Sequence, residues 1–131
     1  MNIYLFGKSS LSGEAFFEYF KSNNNKDKIY PFSRDSKSIY KLDLKKPSTF
    51  NLINNSEFLI ISFAPIWDLS YFLNYLFEKE KNKLQNLKGI IACSSTSAET
   101  KRFESNDFDK NLSLNLIRSE EKLIEIAKEL K

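Results

Sequence analysis

Residues 1–20 read MNIYLFGKSSLSGEAFFEYF, and how this stretch is read decides the fold. An apolar run from Ile3 to Phe6 stops at Gly7. Six residues later Gly13 opens a segment that places Phe16, Tyr19 and Phe20 at helical spacing. A buried strand, a glycine turn and a helix follow from that pattern. Gly7 and Gly13 are two of only three glycines in the chain, so their placement around one strand-to-helix turn carries information.

Outward from that turn, the same periodicities alternate along the chain. Strands are predicted at residues 2–6, 28–32, 38–42, 58–63 and 89–93. Helices are predicted at 12–21, 48–53 (a weak pattern), 69–80 and 111–131. The runs FLIISF and GIIAC are apolar throughout, as expected of strands covered on both faces. With helices between the strands, that implies a parallel α/β sheet. The expected fold is a Rossmann-like three-layer sandwich with a five-stranded, mainly parallel sheet in the order 3-2-1-4-5. Any ligand should lie outside the carboxyl ends of the strands, where the strand order reverses. KSNNNKDK (21–28) reads as a turn cluster and SAETKRFESNDFDKN (97–111) as the longest loop.

Composition narrows the chemistry. A chain of 131 residues is expected to form a single domain, 1–131, able to bury a core without disulfides or a metal. It has one cysteine and no histidine, which excludes an internal disulfide, imidazole metal sites and Ser-His-Asp catalysis. Cys93 reads as a buried small hydrophobe at a strand end. The net charge of +3 is mild, and runs such as EKEKNKLQNLK mix both signs, so a solvated surface is expected and a nucleic-acid partner is not. No apolar run approaches the roughly 20 residues of a membrane span, and no secretory leader is evident; the expected location is cytoplasmic.

In a dinucleotide-binding turn the first glycine permits the bend, the middle one lets backbone approach the pyrophosphate, and the last packs helix on strand. Here the middle position is Ser10, whose hydroxyl can donate to a phosphate. The other reading of the two glycines is a tight turn with no ligand.

GKSSLSG resembles the G-x-x-G-x-x-G turn of the extended short-chain dehydrogenases/reductases, the nucleotide-sugar epimerase and dehydratase group, with Ser10 at the middle glycine. IYPFSRD resembles that family's second strand, KLDLKKP its adenine-side segment, FLIISFAP its fourth strand and GIIACSSTS its fifth. The resemblance implies an NAD(P)-binding core. Gly7, Ser9, Ser10, Leu11 and Gly13 would lie in the phosphate turn, Ser33 and Arg34 at the ribose, Asp43 and Leu44 by the adenine, and Phe63, Ala64 and Pro65 along the cofactor. Asp43 reads equally well as a polar turn residue before Pro47, and Ser94, Ser95, Thr96 and Ser97 as a loop that caps neighbouring backbone.

Ser95 matches the family's catalytic serine or threonine, yet its partners are missing. In the register set by RSEEK the family's Tyr-x-x-x-Lys pair falls on Leu116 and Glu120, which cannot supply a proton or a cation. The family also continues with a sixth strand and a substrate lobe, so the chain reads as the cofactor-binding part only. Cofactor binding without turnover is expected, with a dinucleotide and, through the family, a nucleotide-sugar as the ligands implied. The alternative is a non-catalytic interaction module, with no cofactor bound. The place that usually holds an NAD-specific carboxylate reads FSRD, so Arg34 implies NADP in preference to NAD, with Lys8 adding charge. Helices 69–80 and 111–131 carry more apolar residues than one stripe needs, which implies a weak homodimer through them.

Overall fold

A computed structural model of the chain describes residues 1–23, 26–35, 37–93 and 107–130, with side chains in the last span from 114 onward. In order these form β1 (Asn2–Phe6), α1 (Leu11–Asn23), β2 (Lys28–Ser33), β3 (Tyr40–Lys41), β4 (Phe58–Ser62), α2 (Ile66–Lys79), β5 (Leu87–Ala92) and α3 (Asp107–Glu129). Two 3-10 turns, Pro47–Thr49 and Lys81–Leu84, lie between them. The strands make a five-stranded sheet in the order β3-β2-β1-β4-β5, with every pair parallel, which is the Rossmann-like α/β architecture expected.

β1 occupies the centre, and all five of its residues are buried. Alternation divides its side chains between two layers. Tyr4 and Phe6 face α2 and α3 in the larger core, with Phe32, Phe58 and Ile60 from neighbouring strands and Phe50 from the connection after β3. Tyr4 stacks on Phe58 at 4.4 Å between centroids, and Phe6 meets Phe72 of α2 edge-on at 5.4 Å. Ile3 and Leu5 face the other way, joined by Ile61 and covered by Phe16, Phe17 and Phe20 of α1. Each such side chain fully withdrawn from water is worth about 1.5–3 kcal/mol. The outer helices close on each other through Leu69, Phe72, Leu73 and Leu76 of α2 and Leu116, Leu123 and Ile126 of α3, all buried in that same larger core.

Pro31 in β2 has no N–H to give to a ladder, and β3 joins β2 only beyond it, pairing Phe32 and Ser33 with Tyr40 and Lys41. The strand expected at 38–42 is accordingly just two residues long. The weak helix expected at 48–53 is the three-residue 3-10 turn, because Phe50 leaves the helical path to reach the core, where it is fully buried. The chain after it is pinned from below: the Ile53 N–H donates to the Tyr4 hydroxyl at 3.0 Å, Asn2 Nδ2 donates to Asn54 Oδ1 at 3.0 Å, and Lys83 Nζ donates to the Phe50 carbonyl.

Cys93 is exposed, contrary to the buried position expected of it. It lies one residue past β5, which is the edge strand. Its backbone N–H continues the ladder to the Ser62 carbonyl at 3.0 Å while the side chain stays outside. The loop expected at 97–111 lies largely, and the turn cluster at 21–28 partly, outside the described residues. Among the described residues no helix is long and apolar enough to cross a membrane.

Candidate functional site

The turn from β1 to α1 is built by its glycines. Gly7 has φ +77°, in the left-handed region, and a Cβ there would stand 2.6 Å from the Ala64 nitrogen and 2.7 Å from the Phe63 carbonyl carbon. The turn after β1 thus rests directly on the turn after β4. A Cβ on Gly13 would fall on the Gly7 carbonyl oxygen, so α1 also packs against the turn without a side chain between.

Ser10 is the residue before α1, and its hydroxyl is used within the turn. It donates to the Gly7 carbonyl at 2.8 Å and accepts the Gly13 N–H at 3.0 Å, the arrangement of a helix N-cap. The hydroxyl expected to donate to a phosphate is therefore committed to the protein's own backbone. The N–H groups of Leu11 and Ser12 have no acceptor among the described residues.

Above these turns a cavity of about 540 Å³ opens at the carboxyl ends of β1, β2 and β4. That volume lies within the range of small-molecule sites. All the residues assigned to the cofactor line it except Leu11, which is 89% exposed, and Gly13, which is buried under the turn. The lining thus brings together Gly7, Ser9 and Ser10 from the first turn, Ser33 and Arg34 after β2, Asp43 and Leu44 after β3, and Phe63, Ala64 and Pro65 after β4. Asp43 both forms a turn and borders the cavity. Its Oδ1 accepts the Lys45 N–H at 3.0 Å, as in an Asx-turn, and the residue also lines the cavity.

The lining includes residues that the sequence reading missed. Phe6 and Phe32 form part of it where their strands end, and Leu42 and Lys45 flank Asp43. Trp67 and Asp68 come from the first turn of α2, just past the Pro65 that ends the segment resembling the fourth strand. The signal that could have found them is position: the first turn of a helix that follows a strand borders whatever opens at that strand's end. Arg34 and Lys45 supply positive charge to the lining, and Asp43 and Asp68 negative charge.

Asp35, the carboxylate next to Arg34, turns into its own loop. Its Oδ1 accepts the Lys37 N–H at 2.9 Å, and it lines a second depression of about 610 Å³ between α1 and the β2–β3 connection. Lys8 lines that depression too and not the cavity, with its ammonium 5.1 Å from the centre of the Phe17 ring, a cation–π contact that Phe17 also makes with Lys21 at 5.2 Å. The charge expected from Lys8 is thus held to one side. Ser95 lies outside the described residues. Leu116, at the family's tyrosine position, is buried in the α2–α3 core, so no reacting group could be reached there. Among the described residues no group of three or more His, Cys, Asp or Glu could hold a metal ion.

No protein-family model, no curated protein and no solved structure matches this chain.

Proposed function

We propose that this chain is an atypical NAD(P)-binding protein of the short-chain dehydrogenase/reductase type, related to the nucleotide-sugar epimerases, dehydratases and reductases, that binds its cofactor without turning over substrate. The observation that supports this reading is a cavity at the strand ends whose lining unites residues from four separate segments assigned to the cofactor from sequence alone. The adenine lies by Asp43 and Leu44, the ribose over Ser33 and Arg34, and the phosphates over the turn after β1. Arg34 at the rim, with Asp35 turned away, favours a 2′-phosphate and hence NADP over NAD.

Replacing Arg34 with Ala tests the assignment. NADPH affinity should fall by about 1.5–3 kcal/mol, the scale of a hydrogen bond to a charged group, with little change for NADH. Added salt should narrow the preference for NADPH. Equal losses for the two cofactors would remove Arg34 from the reading.

A second reading, an interaction module that pairs with its own copy, is favoured by the apolar side chains on the outer face of the helical layer. Tyr71, Leu114 and Ile124 are each about half exposed. Light scattering at high concentration should show a weak dimer, and a strict monomer counts against that reading.

A further inference from the structure

We infer, building on that reading, that Lys45 is the second residue to hold the 2′-phosphate of NADPH, beside Arg34, in the part that the sequence suggests for Lys8. Arg34 directly follows β2. In the sheet the end of β2 has the turn after β1 on one flank and the segment after β3 on the other. The first flank carries Lys8 and the second Lys45. Lys45 borders the cavity and Lys8 does not. Lys8 lies on the α1 side of the sheet, over the Phe17 ring, in a depression that it shares with the carboxylates of Glu14 and Asp35.

The backbone holds Lys45 at its place. The Leu42 N–H donates to the Ser33 carbonyl at 3.0 Å, so the chain that leaves β3 stays against the chain that leaves β2, one residue before Arg34. Asp43 then closes a turn: its carbonyl accepts the Lys46 N–H at 2.8 Å, and its Oδ1 accepts the Lys45 N–H at 3.0 Å. Neighbouring strands run about 4.8 Å apart, so side chains from these two strand ends can meet on one phosphate. The charge of Asp43 counts at the same end of the lining. Arg34 and Lys45 are positive there and Asp43 is negative, which leaves an excess of one positive charge; loss of Lys45 removes it. A phosphate monoester carries about −1.5 to −2 near neutral pH, and NADH has a hydroxyl in its place, so Lys45 separates the two cofactors.

The experiment is calorimetric titration of the intact chain and its variants with NADPH and with NADH, at low and at high salt. Lys45→Ala should weaken NADPH about fivefold, the scale of one charge pair near water, and leave NADH within twofold. The loss should shrink as salt is added. Lys45→Arg should keep NADPH within twofold of the parent, and Lys8→Ala should leave both cofactors unchanged. Should the alanine variant melt early, Lys45→Gln gives the same comparison. Parental NADPH affinity in Lys45→Ala, or equal losses for NADPH and NADH, would overturn the inference while the cofactor reading stands on the parent's own binding. A loss in Lys8→Ala as large as that in Lys45→Ala would overturn it too. If the parent binds neither cofactor, both fall.

Discussion

Replacing Gly7 with Ala puts a methyl group where the structure has no room for one, and the cost can be worked from two independent terms. The backbone at φ +77° is left-handed, which costs a residue with a Cβ about 1–2 kcal/mol. The added carbon would also press on backbone atoms of Phe63 and Ala64 at 2.7 and 2.6 Å, and these cannot rotate away as a side-chain tip could. Relief requires the two turns to separate, at about 1–3 kcal/mol, the usual cost of a small overpacking. The sum is about 3 kcal/mol. With an unfolding entropy near 2.1 cal/mol/K per residue, a chain of 131 residues should then melt about 11 °C lower. Gly89→Ala is the control. Its Cβ would meet only the Leu59 Cδ2, at 3.0 Å, and that tip can shift, so the loss should stay near 1 kcal/mol or less. Urea unfolding by circular dichroism gives both numbers. Equal midpoints for the two variants, or a Gly7→Ala chain as stable as the parent, would refute the claim that the turn after β1 is wedged on the turn after β4.

Ser10→Ala removes the cap of α1 and should cost about 1 kcal/mol, read as a melting point about 4 °C lower. Tyr4→Phe leaves the Ile53 N–H without its acceptor beneath the sheet and should cost about 1–3 kcal/mol in the same urea assay. Burial raises the Tyr4 phenol above its ordinary value of 10, against a smaller opposing effect of its hydrogen bonds to the backbone at Ile53 and Asn54. The fold therefore favours the neutral phenol, and that contribution is complete below pH 10 and lost as pH rises through the folded value. Alkaline unfolding of the parent should steepen above pH 10, and Tyr4→Phe should flatten that slope; identical slopes in a pH series of melts would contradict the assignment. Leu116→Ala opens a cavity between α2 and α3 and should cost about 2–5 kcal/mol, whereas a Leu116→Tyr chain that folded well and gained activity would show that the position faces a site and not the core.

Much of the fold is legible in local pattern because the strongest signals sit where local and tertiary demands agree. β1 is an unbroken apolar run that ends at Gly7, and it lies at the centre of the sheet with the boundaries its sequence suggests. Patterns that depend on a neighbour elsewhere in the chain read less well. β3 shrinks to Tyr40–Lys41 because its length depends on what Pro31 in the adjacent strand can offer. Cys93 reads as the end of an apolar strand, but no local pattern tells that β5 lies at the sheet edge, where Ile91 is 58% exposed. At the candidate site, the turn and the strand-end residues were readable because the order of segments fixes which strand ends adjoin. The Ser10 hydroxyl suits a phosphate, while its place just before Leu11 marks it equally as a cap. Trp67 and Asp68 belong to the periodicity of WDLSYFLNYLF, which describes the face α2 buries and says nothing of what its first turn borders.

Thermal unfolding of the chain with and without NADPH decides whether the cavity at the strand ends is a nucleotide site. A ligand that binds only the folded state at a hundred times its dissociation constant adds about 2.7 kcal/mol, or about 10 °C for a chain of this size. A rise of that order is expected with millimolar NADPH, smaller with NADH, and smaller again for NADPH when Arg34 is replaced by Ala. An unchanged melting curve with NADPH, NADH and ATP alike would contradict it.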